Sequence, residues 1–153
     1  MMNDIPIKSL WIAAVLLKKI NNTYHVLLLK RNSQHLNNTW CYIGGGIEAG
    51  ETAIDAVYRE IREETGITEL ELYSANQFDQ IFSPKENYIY IAPVFVGFVQ
   101  QEHSVFLNDE HSEYQWFPFK EAKEVVSLPG NKEVLQSIEN NFVKKNPLIH
   151  LKI

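Results

Sequence analysis

The stretch from Gly44 to Ile67, GGGIEAGETAIDAVYREIREETGI, limits the fold of this chain more than any other. Three consecutive glycines hand the chain to a segment of helical period, with Thr52 as a natural N-cap and Gly66 as a C-terminal stop, so a helix is predicted from Thr52 to Thr65. Each helical residue advances about 100°, which places Glu60, Glu63 and Glu64 within roughly a third of a turn of one another. Ala56 lies one turn earlier on that side and leaves space there. Ile54, Val57 and Ile61 form the opposite stripe, expected to enter the core. Three carboxylates this close repel, and two of them lie in the last turn, where the helix dipole also disfavours negative charge. A solvated acidic face is one reading. The other is a divalent cation among them: carboxylate oxygens are hard ligands suited to Mg²⁺ or Mn²⁺, and Mg²⁺ is readily shared with water and phosphate.

Around this helix the pattern is mixed. LWIAAVLL and YHVLLL read as buried strands joined by the polar turn Lys18 to Thr23, where Asn21-Asn22 supplies the turn chemistry. After the polar stretch Asn32 to Thr39, WCYI reads as a short strand ending on the glycines. ELELYS and EYQWFPF read as further strands. YIYIAPVFVGFV is strongly β, with Pro93 implying an edge, a bulge or a break. Gln77 to Asn87 reads as a loop, and Phe119 to Val126 and Asn131 to Phe142 as helices separated by Pro129-Gly130. Hairpins and crossovers together predict an α/β (α+β) layered domain with a mixed sheet.

One domain, 1–153, fits 153 residues of which 45% are hydrophobic. A net charge of -5 gives no general attraction to extended nucleic acid or an anionic membrane. Phosphate would have to be bound locally or through a metal. The single cysteine, Cys41, excludes an internal disulfide and a thiol-based metal site, which points to a reducing, cytoplasmic setting. The apolar run Leu10 to Leu17 is too short to span a bilayer, and Asp4 to Lys8 do not form a secretory leader, so neither export nor membrane insertion is expected.

The central stretch fits the pattern G-x5-E-x7-R-E-U-x-E-E-x-G-U without a gap, U being aliphatic, at Gly45, Glu51, Arg59, Glu60, Ile61, Glu63, Glu64, Gly66 and Ile67. It resembles the signature of the Nudix hydrolases. The resemblance implies a three-layer α/β/α sandwich with a mixed central sheet and Mg²⁺-dependent hydrolysis, with Mn²⁺ as a substitute. It implies metal on Glu60, Glu63, Glu64 and a main-chain carbonyl of Gly44 or Gly45, and Arg59 bracing Glu51 or a neighbouring carboxylate. Glu63 is the first choice for the base that activates water. A nucleotide or related small molecule is the implied partner, and a homodimer is compatible with the family.

Outside the motif, Arg31 in LLLKRN stands where similar hydrolases hold substrate phosphates; a surface arginine is the plainer reading. Trp40 either borders the pocket or packs in the core, and Cys41 reads as packing. Glu110 in NDEHSEYQW is similar to an additional catalytic or metal-binding glutamate of nucleoside triphosphate pyrophosphohydrolases of the dATP and dihydroneopterin triphosphate types. His111 reads as a satisfied loop histidine and Glu113 as solvent-facing, while Asn131-Lys132 could lie near the same mouth. Ile43 replaces the proline that many members carry before the paired glycines. Pro84 lies close to where subgroups acting on ADP-ribose or dinucleoside polyphosphates carry a distinguishing residue, although a loop proline needs no such explanation.

These features favour a pyrophosphohydrolase that converts a (deoxy)nucleoside triphosphate, or a similar triphosphate, to monophosphate and pyrophosphate. The alternative is an ADP-ribose, nucleotide-sugar or dinucleoside polyphosphate pyrophosphatase. A noncatalytic nucleotide-binding module would not need all three helix carboxylates, and RNA-cap removal lacks a basic stripe.

Overall fold

The computed structural model describes residues 3–34, 36–100 and 103–153, so His35, within the polar stretch 32–39, lies outside them. Strands β1 (Ile7–Lys8), β2 (Trp11–Ile20), β3 (Thr23–Arg31), β4 (Trp40–Cys41), β5 (Ile43–Gly46), β6 (Leu70–Ser83), β7 (Tyr88–Val99) and β8 (His111–Pro118) join one mixed sheet. The helices are α1 (Ala53–Thr65), α2 (Phe119–Val125) and α3 (Asn131–Ile138), the last continuing as a π-helical turn, Glu139–Val143. None of the described helices is long and apolar enough to cross a membrane.

Asn21 and Asn22 take φ of 51° and 65°, the left-handed pair that a tight two-residue hairpin requires. Strands β2 and β3 pair directly only near this turn, from Leu17–Val26 to Ile20–Thr23. Beyond it they splay, and the next strand segment enters the wedge. Cys41 of β4 pairs with Leu29 of β3, whereas Gly45 of β5 pairs with Ile12 of β2. The single strand expected over WCYI is therefore divided at Tyr42, where it changes partner. The wedge seats the glycine run inside the sheet, directly before the loop into α1.

The sheet separates two cores. On one face Ile12, Ala14, Leu16, Leu27, Leu29 and Ile43 pack with Ala56, Val57 and Ile61 of α1. On the other, Val15, Leu17, Val26 and Leu28 pack with Ala122 of α2 and Leu135 and Ile138 of α3. The result is the expected three-layer arrangement. Val57 and Ile61 are fully buried, which stabilises the fold by about 1.5–3 kcal/mol for each side chain. Ile54 departs from expectation: it is 41% exposed, while Ala56, Glu60 and Glu64 are buried. The buried face of α1 is rotated toward its carboxylates, because the helix closes over the glycines of β5 as well as over the apolar strands.

The β6–β7 pair also differs from the sequence reading. Gln77 to Ser83, expected as loop, continues β6 past an irregularity between Ser74 and Gln77, and only 84–87 form the turn. Phe78, Ile81 and Phe82 are all about half exposed or more, so both faces of this arm meet solvent and neither imposes a two-residue hydrophobic period. Pro93 neither ends nor edges β7. It pairs with Phe78 of β6, and on its other flank β7 passes from β1 (Ile89, Tyr90) to β2 (Val94 onward), so the proline lies in the gap between two partners.

Candidate active site

Helix α1 is fixed at both ends. Thr52 Oγ1 accepts from the Asp55 N–H at 3.1 Å, and Asp55 Oδ2 accepts from the Thr52 N–H at 2.9 Å, a reciprocal capping box. Gly66 closes the other end at φ 75°, its N–H donating to the Arg62 carbonyl at 2.8 Å. The helix lies against β5 at Gly45, where an added Cβ would overlap the Glu60 carboxylate. Glycine is needed there for close approach.

Arg59 organises one half of the site. Its Nε donates to Glu51 Oε2 at 2.7 Å and its Nη2 to Glu51 Oε1 at 2.9 Å, a two-pronged pair. Nη2 also donates to the Gly46 carbonyl at 2.8 Å, and Nη1 reaches Glu60 at 2.7 Å and Glu63 at 3.2 Å. The guanidinium holds the Glu51 carboxyl down at about 2, helped by the Glu48 N–H, and Arg59 itself is pushed up by Glu51 and Glu60. Arg59 thus pairs with Glu51 by two hydrogen bonds, with Gly46 and Glu48 as further neighbours.

Glu64 organises the other half. It is 2% exposed, and burial, followed by the charges of Glu60 and Glu110, pushes its carboxyl up to about 9. A hydrogen bond from the Gly44 backbone pulls weakly the other way. Burial also raises Glu60, against the pull of Arg59. Glu64 Oε2 is sequestered without a hydrogen-bond partner. Glu63, by contrast, has a 48% exposed side chain and is open to an incoming ligand.

The loop before β8 completes the cluster. Asn108 Oδ1 accepts from the Glu110 N–H at 3.2 Å, and the Asn32 N–H donates to the Glu110 carbonyl at 2.8 Å, tying the loop to the end of β3. Glu110, His111 and Glu64 each offer a donor atom, all within 4.8 Å of one another. Glu110 thus lies beside the motif carboxylates. His111 is not the satisfied loop histidine expected: it is 8% exposed, with Nδ1 buried and unpartnered and Nε2 3.9 Å from Cys41 Sγ. Burial lowers its pKa. Arg31, which pairs with His111 across the β3–β8 ladder, is close enough to influence both His111 and Cys41. Burial pushes the Cys41 thiol up to about 11, in keeping with a packing role.

Other residues lie elsewhere. Trp40 meets Phe117 edge-on at 5.1 Å and packs against the α2–α3 core, away from the carboxylates. Glu113 is exposed and 3.7 Å from Lys30. Pro84 opens the β6–β7 turn, which accounts for it structurally. Asn131 is buried on the α2–α3 face, its Nδ2 donating to the Tyr42 hydroxyl at 2.6 Å, and that hydroxyl donating to Asp79 Oδ1 at 2.6 Å. Burial raises Asp79. This buried polar group was not expected from the sequence, where Tyr42 read only as part of the strand WCYI and Asp79 as part of a loop.

The chain belongs to the NUDIX domain family, whose model matches residues 10–138. It is 31% identical over 102 residues to the NAD-capped RNA hydrolase NudC of Vibrio parahaemolyticus, covering 65% of this chain and 36% of that protein. The chain thus spans little more than a third of that relative. With the bis(5'-nucleosyl)-tetraphosphatase of Rattus norvegicus it shares 27% identity over 127 residues, 79% of this chain and 83% of the relative. Among solved structures, a C. elegans Ap4A hydrolase superposes with a TM-score of 0.73 at 19% identity, over 85% of this chain and 94% of that one. The E. coli dihydroneopterin triphosphate pyrophosphohydrolase does so with 0.69 at 24%, over 92% and 97%. These two likenesses establish the fold.

Proposed function

We propose that this protein is a divalent-cation-dependent hydrolase that cuts a (deoxy)nucleoside triphosphate, or a triphosphate resembling one, to the monophosphate and pyrophosphate. The observation that carries the reading is the placement of Glu110 beside Glu64, which adds a fourth carboxylate to Glu60, Glu63 and Glu64. The donor set fits a cation: the carboxylates crowd together, and Glu64 is buried with an oxygen that no protein group satisfies.

Mg²⁺, with Mn²⁺ as substitute, is the proposed ion, held by Glu60, Glu63, Glu64 and a carbonyl of Gly44 or Gly45. When bound it would draw charge from the phosphate oxygens and lower the barrier to attack at phosphorus. Arg59 keeps Glu60 and Glu63 in place while Glu51 anchors its other edge. Glu63, the more exposed carboxylate, takes a proton from the attacking water. The water oxygen bonds to phosphorus as the bridging P–O bond breaks, and pyrophosphate leaves with that bond's electron pair. Arg31, beside His111, is suited to a phosphate oxygen of the substrate.

A second reading, cleavage of a dinucleoside polyphosphate, is supported by the similarity to the rat tetraphosphatase over 83% of its length. A homodimer and a cytoplasmic setting belong to the same proposal. The test is a substrate panel with Mg²⁺ and products resolved by anion exchange: nucleoside triphosphates, dihydroneopterin triphosphate, a 5'-triphosphorylated RNA, ADP-ribose, nucleotide sugars and diadenosine polyphosphates. Pyrophosphate from a free triphosphate supports the first reading. Cleavage of the linked substrates alone replaces it with the second, and inertness across the panel contradicts both.

A further inference from the structure

We propose that His111 supplies a nitrogen ligand to a cation held together with Glu64 and Glu110, and that this mixed site prefers an ion that accepts nitrogen more readily than Mg²⁺ does, namely Mn²⁺, Co²⁺ or Zn²⁺. The inference rests on the cation-dependent reading above and goes beyond it, because the motif alone gives an all-oxygen set and places no weight on a histidine.

Three features lead to it. Donor atoms of Glu64, Glu110 and His111 lie within 4.8 Å of one another, a spacing that small movements convert to shared coordination. Two of the three residues carry a buried polar atom without any partner, Nδ1 of His111 and Oε2 of Glu64. Such atoms are costly to bury unpaired, and here both belong to residues of one donor set. The third feature is chemical. Imidazole nitrogen binds Mn²⁺, Co²⁺ and Zn²⁺ better than Mg²⁺, which holds oxygen ligands and water.

Neighbouring groups define the limits of the site. Cys41 Sγ stands 3.9 Å from Nε2, whereas Nδ1 is buried without a partner and is the nitrogen assigned to the ion. Arg31 carries positive charge close to His111 and opposes a cation there; the two carboxylates outweigh it. Glu60 lies close enough to Glu64 to raise it electrostatically, so Glu64 would belong both to this donor set and to that of the motif.

The test uses the full-length, metal-stripped protein loaded with Mn²⁺ and read by electron spin echo modulation, which detects nitrogen bound to the ion. The chain has five histidines, so His111→Asn identifies the source. The expected result is nitrogen modulation in the parent protein that is absent in His111→Asn. Calorimetric Mn²⁺ and Zn²⁺ affinity should fall about tenfold or more in that variant, with Mg²⁺ affinity little changed. Glu110→Gln, at an exposed position, should weaken Mn²⁺ binding while retaining the nitrogen signal, which covers the case of an unstable His111 variant. Mn²⁺ bound without nitrogen modulation overturns the inference and leaves the hydrolase reading standing, since product formation with Mg²⁺ tests that separately. Equal Mn²⁺ affinity in both variants and the parent protein, or tighter Mg²⁺ than Mn²⁺ binding, overturns it as well.

Discussion

At the scale of single residues, the site depends on close approach and on charge without solvent. Gly45 has no room for a side chain because the Glu60 carboxylate occupies it, and Arg59 holds that carboxylate in place. Gly45→Ala should therefore cost about 1–3 kcal/mol of stability in urea unfolding and displace a proposed ligand, so that activity falls more than stability does. Glu64→Gln replaces a buried acid with a neutral isostere. The metal-free variant should melt at or above the parent temperature at neutral pH, while the rise in melting temperature caused by divalent cation should shrink or vanish. Thermal unfolding with and without millimolar Mg²⁺ checks both points. The motif residues were legible because they lie within one helix and its loop, where spacing alone fixes direction. His111 was not: its burial depends on β3–β8 pairing and on Cys41 across the sheet, which no local pattern encodes.

At the scale of elements, the important arrangement is the splayed β2–β3 hairpin that admits β4 and β5. The caps of α1 were legible, since Thr52 and Gly66 each act locally and both occupy their expected positions. The division of WCYI at Tyr42 was not, because it follows from which strand happens to lie beside each residue. The β6–β7 arm escaped for a different reason: with Phe78 and Phe82 exposed on one face and Ile81 on the other, alternation is lost although the backbone stays extended. Thr52→Ala should cost about 1 kcal/mol by removing the cap, measured by chemical denaturation. It should leave the identity of the reaction products unchanged, because among the described residues Thr52 bonds Asp55 and not Glu60, Glu63, Glu64 or Glu110. A change of product would show that the start of the helix also shapes the substrate site.

At the scale of the whole molecule, folding and cation binding should be linked through protons. Glu64 is raised from 4.5 to about 9, so its contribution to stability is fully present below 4.5 and is lost as pH rises through about 9. Glu51 has the opposite sign: lowered to about 2 by Arg59, its contribution is present above 4.5 and is lost as pH falls toward 2. A cation at the carboxylates must displace the Glu64 proton, so it binds more readily at high pH. The melting temperature of the metal-free protein should decline between pH 6 and pH 9, and the rise caused by Mg²⁺ should be larger at pH 9. Calorimetric scans at the two pH values measure this, and an equal or smaller rise at pH 9 would contradict a protonated, metal-competed Glu64.

The crowded carboxylates are proposed to form a cation-dependent hydrolytic site. Its most direct test follows turnover of the best triphosphate with and without Mg²⁺, in the parent protein and in Glu63→Gln. Monophosphate and pyrophosphate should form only when the cation is present, with a loss of about 10²–10⁴-fold in the variant, which lacks the carboxylate that takes the proton. Turnover that survives removal of all divalent cation, or that is undiminished in Glu63→Gln and Glu64→Gln alike, would contradict it.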